Sequence, residues 1–322
     1  MSFRYRVATV FGGSGFIGRH LIKRLAKTGT IIRVATRHPS NANFLRTNGA
    51  VGQIIAIATN IHDDASVAAA VRDADIVINL IGILYESGVN TFHGTQGEAP
   101  GRIARAAKEA GAQRFIQISA IGADAGSTSE YARSKAAGEQ AVLKAFPEAT
   151  ILRPSIVFGP EDAFFNRFAA MARLSPALPL IGGGHTRFQP VYAGDVADGI
   201  ARLLTLEGAA GRTYEFGGPE IFTFRELMEF TLSTIQRRRL LVPVPWAVAR
   251  LQGAVLQFLP GSLLTMDQVE LLKTDNVVSK AAASAGLTLQ GLGIAPQAIA
   301  AIVPAYLARF RRAGQFAKSA ER

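Results

Sequence analysis

The sequence predicts an α/β protein: a doubly wound parallel sheet carrying a smaller, mainly helical C-terminal lobe. Three observations lead there. Apolar strand candidates alternate with helical patterns through the first half of the chain, the mark of parallel strands joined by crossover helices. The first strand runs directly into a glycine turn and an amphipathic helix, Val7-Ala8-Thr9-Val10-Phe11-Gly12-Gly13-Ser14-Gly15-Phe16-Ile17-Gly18-Arg19. After Gly159-Pro160 the alternation breaks, and segments of a different character begin.

Taken in order, the expected strands are Arg6–Phe11, Ile31–Ala35, Gly52–Ala58, Ile76–Leu80, Arg114–Ser119 and Thr150–Val157. Helices are expected near 16–27, 64–72, 97–110 and 130–145. Phe164–Leu174 has helical spacing, Pro176 to Gly184 reads as a loop rich in proline and glycine, and Gln189-Pro190-Val191-Tyr192 reads as extended. Asp195 is placed to N-cap a helix over Val196–Leu204. From Pro243 onward the pattern is mainly helical, ending in Arg309, Arg311, Arg312 and a polar tail expected to fray. No internal repeat is present. Residues 1–159 and 189–217 are expected to form the dinucleotide-binding domain, and 160–188 with 218–322 a smaller lobe for substrate or partner.

Composition narrows the function classes. With 322 residues, 48% of them hydrophobic, the chain can bury a sizeable core. It has no cysteine, which removes disulfides, thiol nucleophiles and cysteine-ligated metals and fits a reducing cytoplasm. The five histidines (20, 38, 62, 93 and 185) are scattered, so no metal site is expected. The first strand begins almost at the first residue, and no signal or transit peptide is expected. The longest apolar stretch, Leu240 to Pro260, contains Pro243, Pro245, Arg250, Gln252 and Gln257 and makes a poor transmembrane span. A net charge of +11 calls for an anionic partner: cofactor phosphates, anionic lipid or an acidic protein surface. Nucleic acid is disfavoured, because no aromatic residues interleave with the basic clusters.

The glycine turn carries the strongest chemistry. It fits both GxGxxG (13, 15, 18) and GxxGxxG (12, 15, 18). Glycine at 12 or 13 reverses the chain, Gly15 lets backbone approach a pyrophosphate, and Gly18 lets the helix pack closely. The helix N-terminus then faces the phosphates. At the end of the second strand, where an acidic residue would hold ribose hydroxyls, the chain has Ala35-Thr36-Arg37-His38. Arg37 suits a 2′-phosphate, with Arg19 placed to reach the same spot, so NADP(H) is favoured over NAD(H). Tyr131 and Lys135 form an i, i+4 pair at the start of a helix, after a strand ending at Ser119. The lysine would hydrogen-bond the nicotinamide ribose and lower the phenol pKa toward proton transfer. Two readings stay open: proton transfer, or a grip on the ribose alone.

Lesser features include Gly182-Gly183-Gly184-His185, which resembles an anion-binding loop but lacks the Lys-Ser/Thr of a P-loop and reads better as a flexible hinge. His93 reads as a helix-entry residue in preference to a general base. Arg237-Arg238-Arg239 and the apolar run through Trp246, Leu256 and Phe258 to Leu259 suggest either a membrane-facing surface or an ordinary packed helix beside a solvated charge run.

The glycine turn, Asn79-Leu80-Ile81-Gly82, the YxxxK pair and Leu152-Arg153-Pro154-Ser155-Ile156-Val157-Phe158-Gly159-Pro160 resemble the extended short-chain dehydrogenase/reductases. More narrowly, the chain resembles their atypical branch containing the NADPH-binding 39 kDa accessory subunit of respiratory complex I and its bacterial relatives. That match rests on residues 134–139, 145–149, 158–162, Phe165-Asn166-Arg167-Phe168, Gln189-Pro190-Val191-Tyr192, Asp267-Gln268-Val269-Glu270-Leu271 and Thr274-Asp275-Asn276. It runs from residue 6 to about 312.

The resemblance implies that Gly12, Gly15, Phe16, Ile17 and Gly18 face the pyrophosphate and Arg37 the 2′-phosphate. Asn60 and Ile61 would lie near adenine, and Leu80, Ile81 and Gly82 would line the cofactor. Pro154 and Val157 would lie near nicotinamide, with Tyr131 and Lys135 on its ribose. Active members carry a catalytic Ser or Thr after the fifth strand. Here Ser119 is followed by Ala120, and either residue can be placed at that spot. The asparagine expected before the fourth helix is replaced within Thr91-Phe92-His93-Gly94-Thr95. The expectation is therefore an NADP(H)-binding accessory or assembly protein of complex I, weakly active or silent, peripheral on the cytoplasmic face of a bacterial inner membrane. The alternative is a working NADPH-dependent reductase on a hydrophobic carbonyl or quinone-pathway substrate.

Overall fold

The computed structural model describes residues 5–256, 264–312 and 314. In chain order the elements begin β1 (Val7–Phe11), α1 (Phe16–Ala26), β2 (Ile31–Thr36), β3 (Ile54–Ala58), α2 (Asp64–Val71), β4 (Ile76–Asn79) and α3 (Ala99–Glu109). They continue with β5 (Arg114–Ile118), α4 (Glu130–Ala145), β6 (Thr150–Pro154), β7 (Val157–Phe158), α5 (Phe165–Leu174), β8 (Ala177–Ile181), β9 (Arg187–Phe188) and β10 (Val191–Tyr192). The remainder are α6 (Ala193–Thr205), β11 (Thr213–Phe216), β12 (Phe222–Thr223), α7 (Phe224–Thr234), β13 (Leu240–Val244), α8 (Trp246–Leu256), α9 (Met266–Leu271), α10 (Lys280–Ser284) and α11 (Ile299–Leu307).

The chain divides into two compact units. The first takes the chain up to Pro154, with Ala193–Phe216 and Ser279–Ile294; the second takes Ser155–Tyr192, Gly217–Val278 and the chain from Ala295. Segment 279–294 thus lies in the first unit, and 155–159 with 189–192 in the second.

The first unit is the doubly wound sheet. Seven parallel strands run in the order β11-β6-β5-β4-β1-β2-β3. β1 is buried on both faces, as a central parallel strand must be, and its one polar residue, Thr9, donates its hydroxyl to Ala70 O at 2.9 Å. Strand order reverses between β1 and β4, which opens a crevice beyond their carboxyl ends, where such sheets bind ligands. Phe11, Val67, Val77, Ile103, Phe115 and Phe146 form the core on one face.

The second unit is held by a phenylalanine cluster. Phe164 lies 5.2 Å from both Phe165 and Phe168, and Phe224 lies 5.5 Å from Phe168. Asp162 ties the loop before α5 to α11: it accepts the Asn166 amide at 3.1 Å and the Tyr306 hydroxyl. Burial pushes its carboxyl above the usual range. Asn276 explains two of the motifs quoted above, since its amide oxygen accepts Ser155 Oγ at 2.7 Å and the Ile156 amide at 2.9 Å.

Four expectations change here. The segment expected as a loop after Pro176 holds β8, paired in parallel with β13. Leu178 and Leu180 alternate into the core, and Pro179 fits because a two-stranded ribbon is all edge. The chain after Leu240 accordingly enters as a strand before α8 begins. Asp195 sits inside the first turn of α6, which starts at Ala193, and is not the N-cap. The glycines 182–184, all with φ between +61° and +78°, form a turn seating the Trp246 ring: a Cβ on Gly182 would fall 2.1 Å from it. Trp246 is half-buried there and packs against Ile181, Val244 and Val269. Phe258 and Leu259 lie outside the described residues.

Candidate dinucleotide site

The site is built at the reversal point of the first unit. Gly12 adopts φ +73°, and a Cβ there would lie 3.2 Å from Leu80 C and 3.3 Å from Ile81 N, so both conformation and space require glycine. The amide of Leu80 donates to Phe11 O at 3.0 Å, which binds the end of β4 to the turn. A Cβ on Gly18 would fall 2.4 Å from Gly13 O and 2.5 Å from Gly12 O. Gly18 therefore lets α1 sit down on the carbonyls of the turn itself. Gly15 meets only Gly12 O, at 3.1 Å, and its own face is exposed. It caps α1 without a side chain, and no carboxylate stands in the first turn. The amides of Phe16, Ile17 and Gly18 thus leave the helix end with its dipole unopposed, a cradle suited to an anion.

The strip after β4 is placed by buried amides. Asn79 Oδ1 accepts the Ile81 amide at 3.1 Å, while Asn79 Nδ2 donates to Gln117 Oε1 at 2.9 Å. A Cβ on Gly82 would stand 3.1 Å from Lys135 Nζ and 3.4 Å from Gln96 Oε1. Leu80, Ile81 and Gly82 therefore run from the glycine turn to the lysine.

On α4, Ser129 caps the helix by accepting the Ala132 amide at 3.2 Å, which sets the phase of the pair. Lys135 Nζ lies 5.7 Å from the Tyr131 ring centroid, and Phe92 packs edge-on against Tyr131 at 5.9 Å. Lys135 is buried, and that burial lowers its ammonium to about 8, with Glu139 one turn on pulling the other way. Glu139 is already committed: Arg153 grips it bidentately, at 2.8 Å and 2.6 Å. Ser119 follows β5 at once. Its amide donates to Leu152 O at 2.6 Å, yet its buried hydroxyl has no hydrogen-bond partner among the described residues. Ala120 is next and half-buried. An unsatisfied buried hydroxyl and an under-neutralised ammonium both ask for an outside polar partner.

The adenosine end is less closed. Arg37 is exposed past β2 and donates to the neutral Asn90 Oδ1 at 3.3 Å, while Arg19 lies 5.2 Å over the Phe44 ring. Asn60 spends its side chain on its own turn, accepting the His62 amide at 3.1 Å, and Ile61 packs on the core. Pro154 ends β6, buried, and accepts the Ile121 amide at 3.0 Å. Val157 opens β7 in the second unit, half-buried.

One residue escaped the sequence reading. A π-helical turn spans His93–Glu98, and inside it Gln96 is buried. Its Oε1 accepts the Ile83 amide at 3.1 Å, and its Nε2 meets Ser134 Oγ at 3.2 Å. Gln96 thus clamps the post-β4 loop to α4 beside Lys135. π-turns gather at functional sites, but they carry no periodic signal.

Comparison with known proteins agrees with this geometry. The chain matches the NAD dependent epimerase/dehydratase family over residues 8–217. It is 37% identical over 320 residues to NADH dehydrogenase [ubiquinone] 1 alpha subcomplex subunit 9, mitochondrial, of Arabidopsis thaliana, covering 96% of this chain and 79% of that protein. It is 32% identical over 305 residues to the NADH-ubiquinone oxidoreductase 40 kDa subunit of Neurospora crassa, covering 94% and 79%. In fold it is similar to the NADPH-dependent quinone oxidoreductase QOR2 of Escherichia coli complexed with NADPH (TM-score 0.72, 20% identity, 93% of this chain and 99% of that one). The cradle at the strand reversal, the YxxxK helix and these similarities lead to one conclusion: the chain belongs to the NAD dependent epimerase/dehydratase family, in the group of the NADH dehydrogenase [ubiquinone] 1 alpha subcomplex subunit 9 proteins.

Proposed function

We propose that this chain is an NADP(H)-binding accessory or assembly component of respiratory complex I, in which the dinucleotide is a structural ligand and turnover is weak or absent. One contrast carries the reading. The features a dinucleotide grip calls for are present in Gly12, Gly15, Gly18 and the buried Lys135, whereas the features for polarising a substrate come down to Ser119 followed by Ala120. Similarity to NADH-ubiquinone oxidoreductase subunits over 94–96% of this chain and 79% of theirs supports the partnership.

In this reading the amides at the start of α1 hold the pyrophosphate, and Lys135 with Tyr131 holds the nicotinamide ribose. Arg37 takes the 2′-phosphate: it carries a cation where an NAD site would place a carboxylate, and among the described residues a neutral amide engages it. A bound nicotinamide would supply hydride chemistry. With Ser119 followed by Ala120 after β5, this chain has little with which to polarise a carbonyl and relay its proton. No helix among the described residues is long and apolar enough to cross a membrane. In this reading attachment is peripheral, through the complex and the adjoining membrane surface on its cytoplasmic side.

The test is to solubilise native membranes in mild detergent, resolve the chain on native gels, and identify co-migrating proteins and bound nucleotide. Co-migration with complex I or an assembly intermediate, with NADP(H) retained, is expected. Recovery of all the protein free in a gentle low-salt lysate would favour a soluble reductase.

A further inference from the structure

The second unit carries a charge arrangement that the nucleotide plays no part in. Arg173 lies in the last turn of α5, Arg237, Arg238 and Arg239 fill the connection from α7 to β13, and Arg311 and Arg312 follow α11. Three of the six are pinned to main chain. Arg239 Nε donates to Ala172 O at 2.8 Å, Arg237 Nε to Phe310 O at 3.1 Å, and Arg311 Nε to Thr234 O at 3.0 Å. Those carbonyls stand at helical C-termini, so these arginines act as caps. Each cap bond engages one of a guanidinium's five N–H groups, and Arg239 spends a second on Arg238 O at 3.0 Å; most of the donors remain for other partners.

The caps also gather like charges. Burial, then the charges of Arg239, Arg312 and Arg173, hold Arg237 below the ordinary arginine value. Among the described residues, none of the six forms an ion pair. Interleaved with them are large aliphatic side chains left in water: Leu174 is 90% exposed, Leu240 71% and, on the same face of β13, Val242 45%.

Fixed unpaired guanidinium groups beside exposed aliphatics match one kind of surface better than any other. Phospholipid phosphates complement the cations, and the acyl boundary accepts the leucines. A polynucleotide would meet the charges but would want aromatic stacking, which the patch lacks. We propose that the cluster of Arg173, Arg237–Arg239 and Arg311–Arg312, with Leu174 and Leu240, docks this chain on anionic phospholipid headgroups. The inference rests on the peripheral attachment proposed above and supplies its chemistry.

The full-length chain is sedimented with phosphatidylcholine vesicles, with and without phosphatidylglycerol, at low and high salt. Binding is expected only with phosphatidylglycerol, and it falls with salt. Arg173→Gln, Arg238→Gln and Arg312→Gln spare the three caps and should each weaken partition about fivefold. Leu174→Ser with Leu240→Ser should remove the part that survives salt. Equal sedimentation with neutral vesicles would overturn the proposal. So would full binding by the folded triple variant, or capture by heparin without capture by vesicles. Co-migration on native gels and NADPH affinity are measured on the same variants. Loss of vesicle binding with NADPH affinity intact supports the lipid site. Wild-type chain that binds vesicles but never co-migrates with the complex counts against the accessory role alone.

Discussion

Lys135 shows how one residue can be bad for the fold and good for the ligand. Burial lowers its ammonium to about 8, below the 10.5 it would have in an unfolded chain. Between those values the unfolded chain holds a proton that the folded chain has released, so this lysine makes stability rise with pH across that window. Below about 8 both states are protonated and the buried charge is a full penalty. Its nearest counter-ion, Glu139, is already paired with Arg153 and survives its removal. Lys135→Met is therefore expected to stabilise the nucleotide-free protein at pH 7, by on the order of 1–3 kcal/mol. It should also weaken NADPH by more than tenfold through loss of charged hydrogen bonds. Urea midpoints and a nucleotide titration check both; a destabilised, tight-binding variant would refute the assignment. The pairing of Tyr131 with Lys135 was legible because four residues make one helical turn. Its burial beside Gln96 was not, since a π-turn leaves no repeating pattern to read.

At the scale of elements, α1 separates two uses of glycine. Gly18 answers to packing, because a methyl group there would overlap two rigid carbonyls at 2.4 and 2.5 Å. Gly15 has ordinary backbone, φ −77°, and a mostly open face. Gly18→Ala should cost about 1–3 kcal/mol of stability by forcing α1 off the turn. Gly15→Ala should leave the melting temperature nearly unchanged yet lower NADPH affinity, since its methyl group stands at the mouth of the anion cradle. Calorimetry and binding on the two variants decide the matter; equal destabilisation, or wild-type binding by Gly15→Ala, would show that the turn has no ligand to admit. Such local logic made the first six strands readable, to within a few residues. β8 and β13 were not, because Pro179 and Pro243 mimic loop chemistry and the partners lie more than fifty residues apart in sequence. Their pairing is a fact of tertiary structure.

At the scale of the whole molecule, the chain is two units, and the glycine cradle, Lys135 and Arg37 all belong to the first. A ligand that binds only the folded state adds stability by mass action, about 2.7 kcal/mol at a hundredfold excess over its Kd. If the dinucleotide is structural, that increment is its function. Two compact units need not melt together, so a single midpoint is a poor probe, and amide exchange resolved along the chain is a better one. NADPH is expected to slow exchange across the turn and α1 and through the first half of α4. NADH at the same concentration should protect less, because Arg37 meets no 2′-phosphate. Losing that charge-assisted contact amounts to about 1.5–3 kcal/mol, or roughly ten- to a hundredfold in affinity. Arg37→Asp should bring the two nucleotides level or reverse their order. Its effect should stay within the first unit and leave the arginine cluster's affinity for anionic vesicles unaltered. Equal protection of the wild-type chain by NADPH and NADH would remove Arg37 from the site and, with it, the preference for the phosphorylated cofactor.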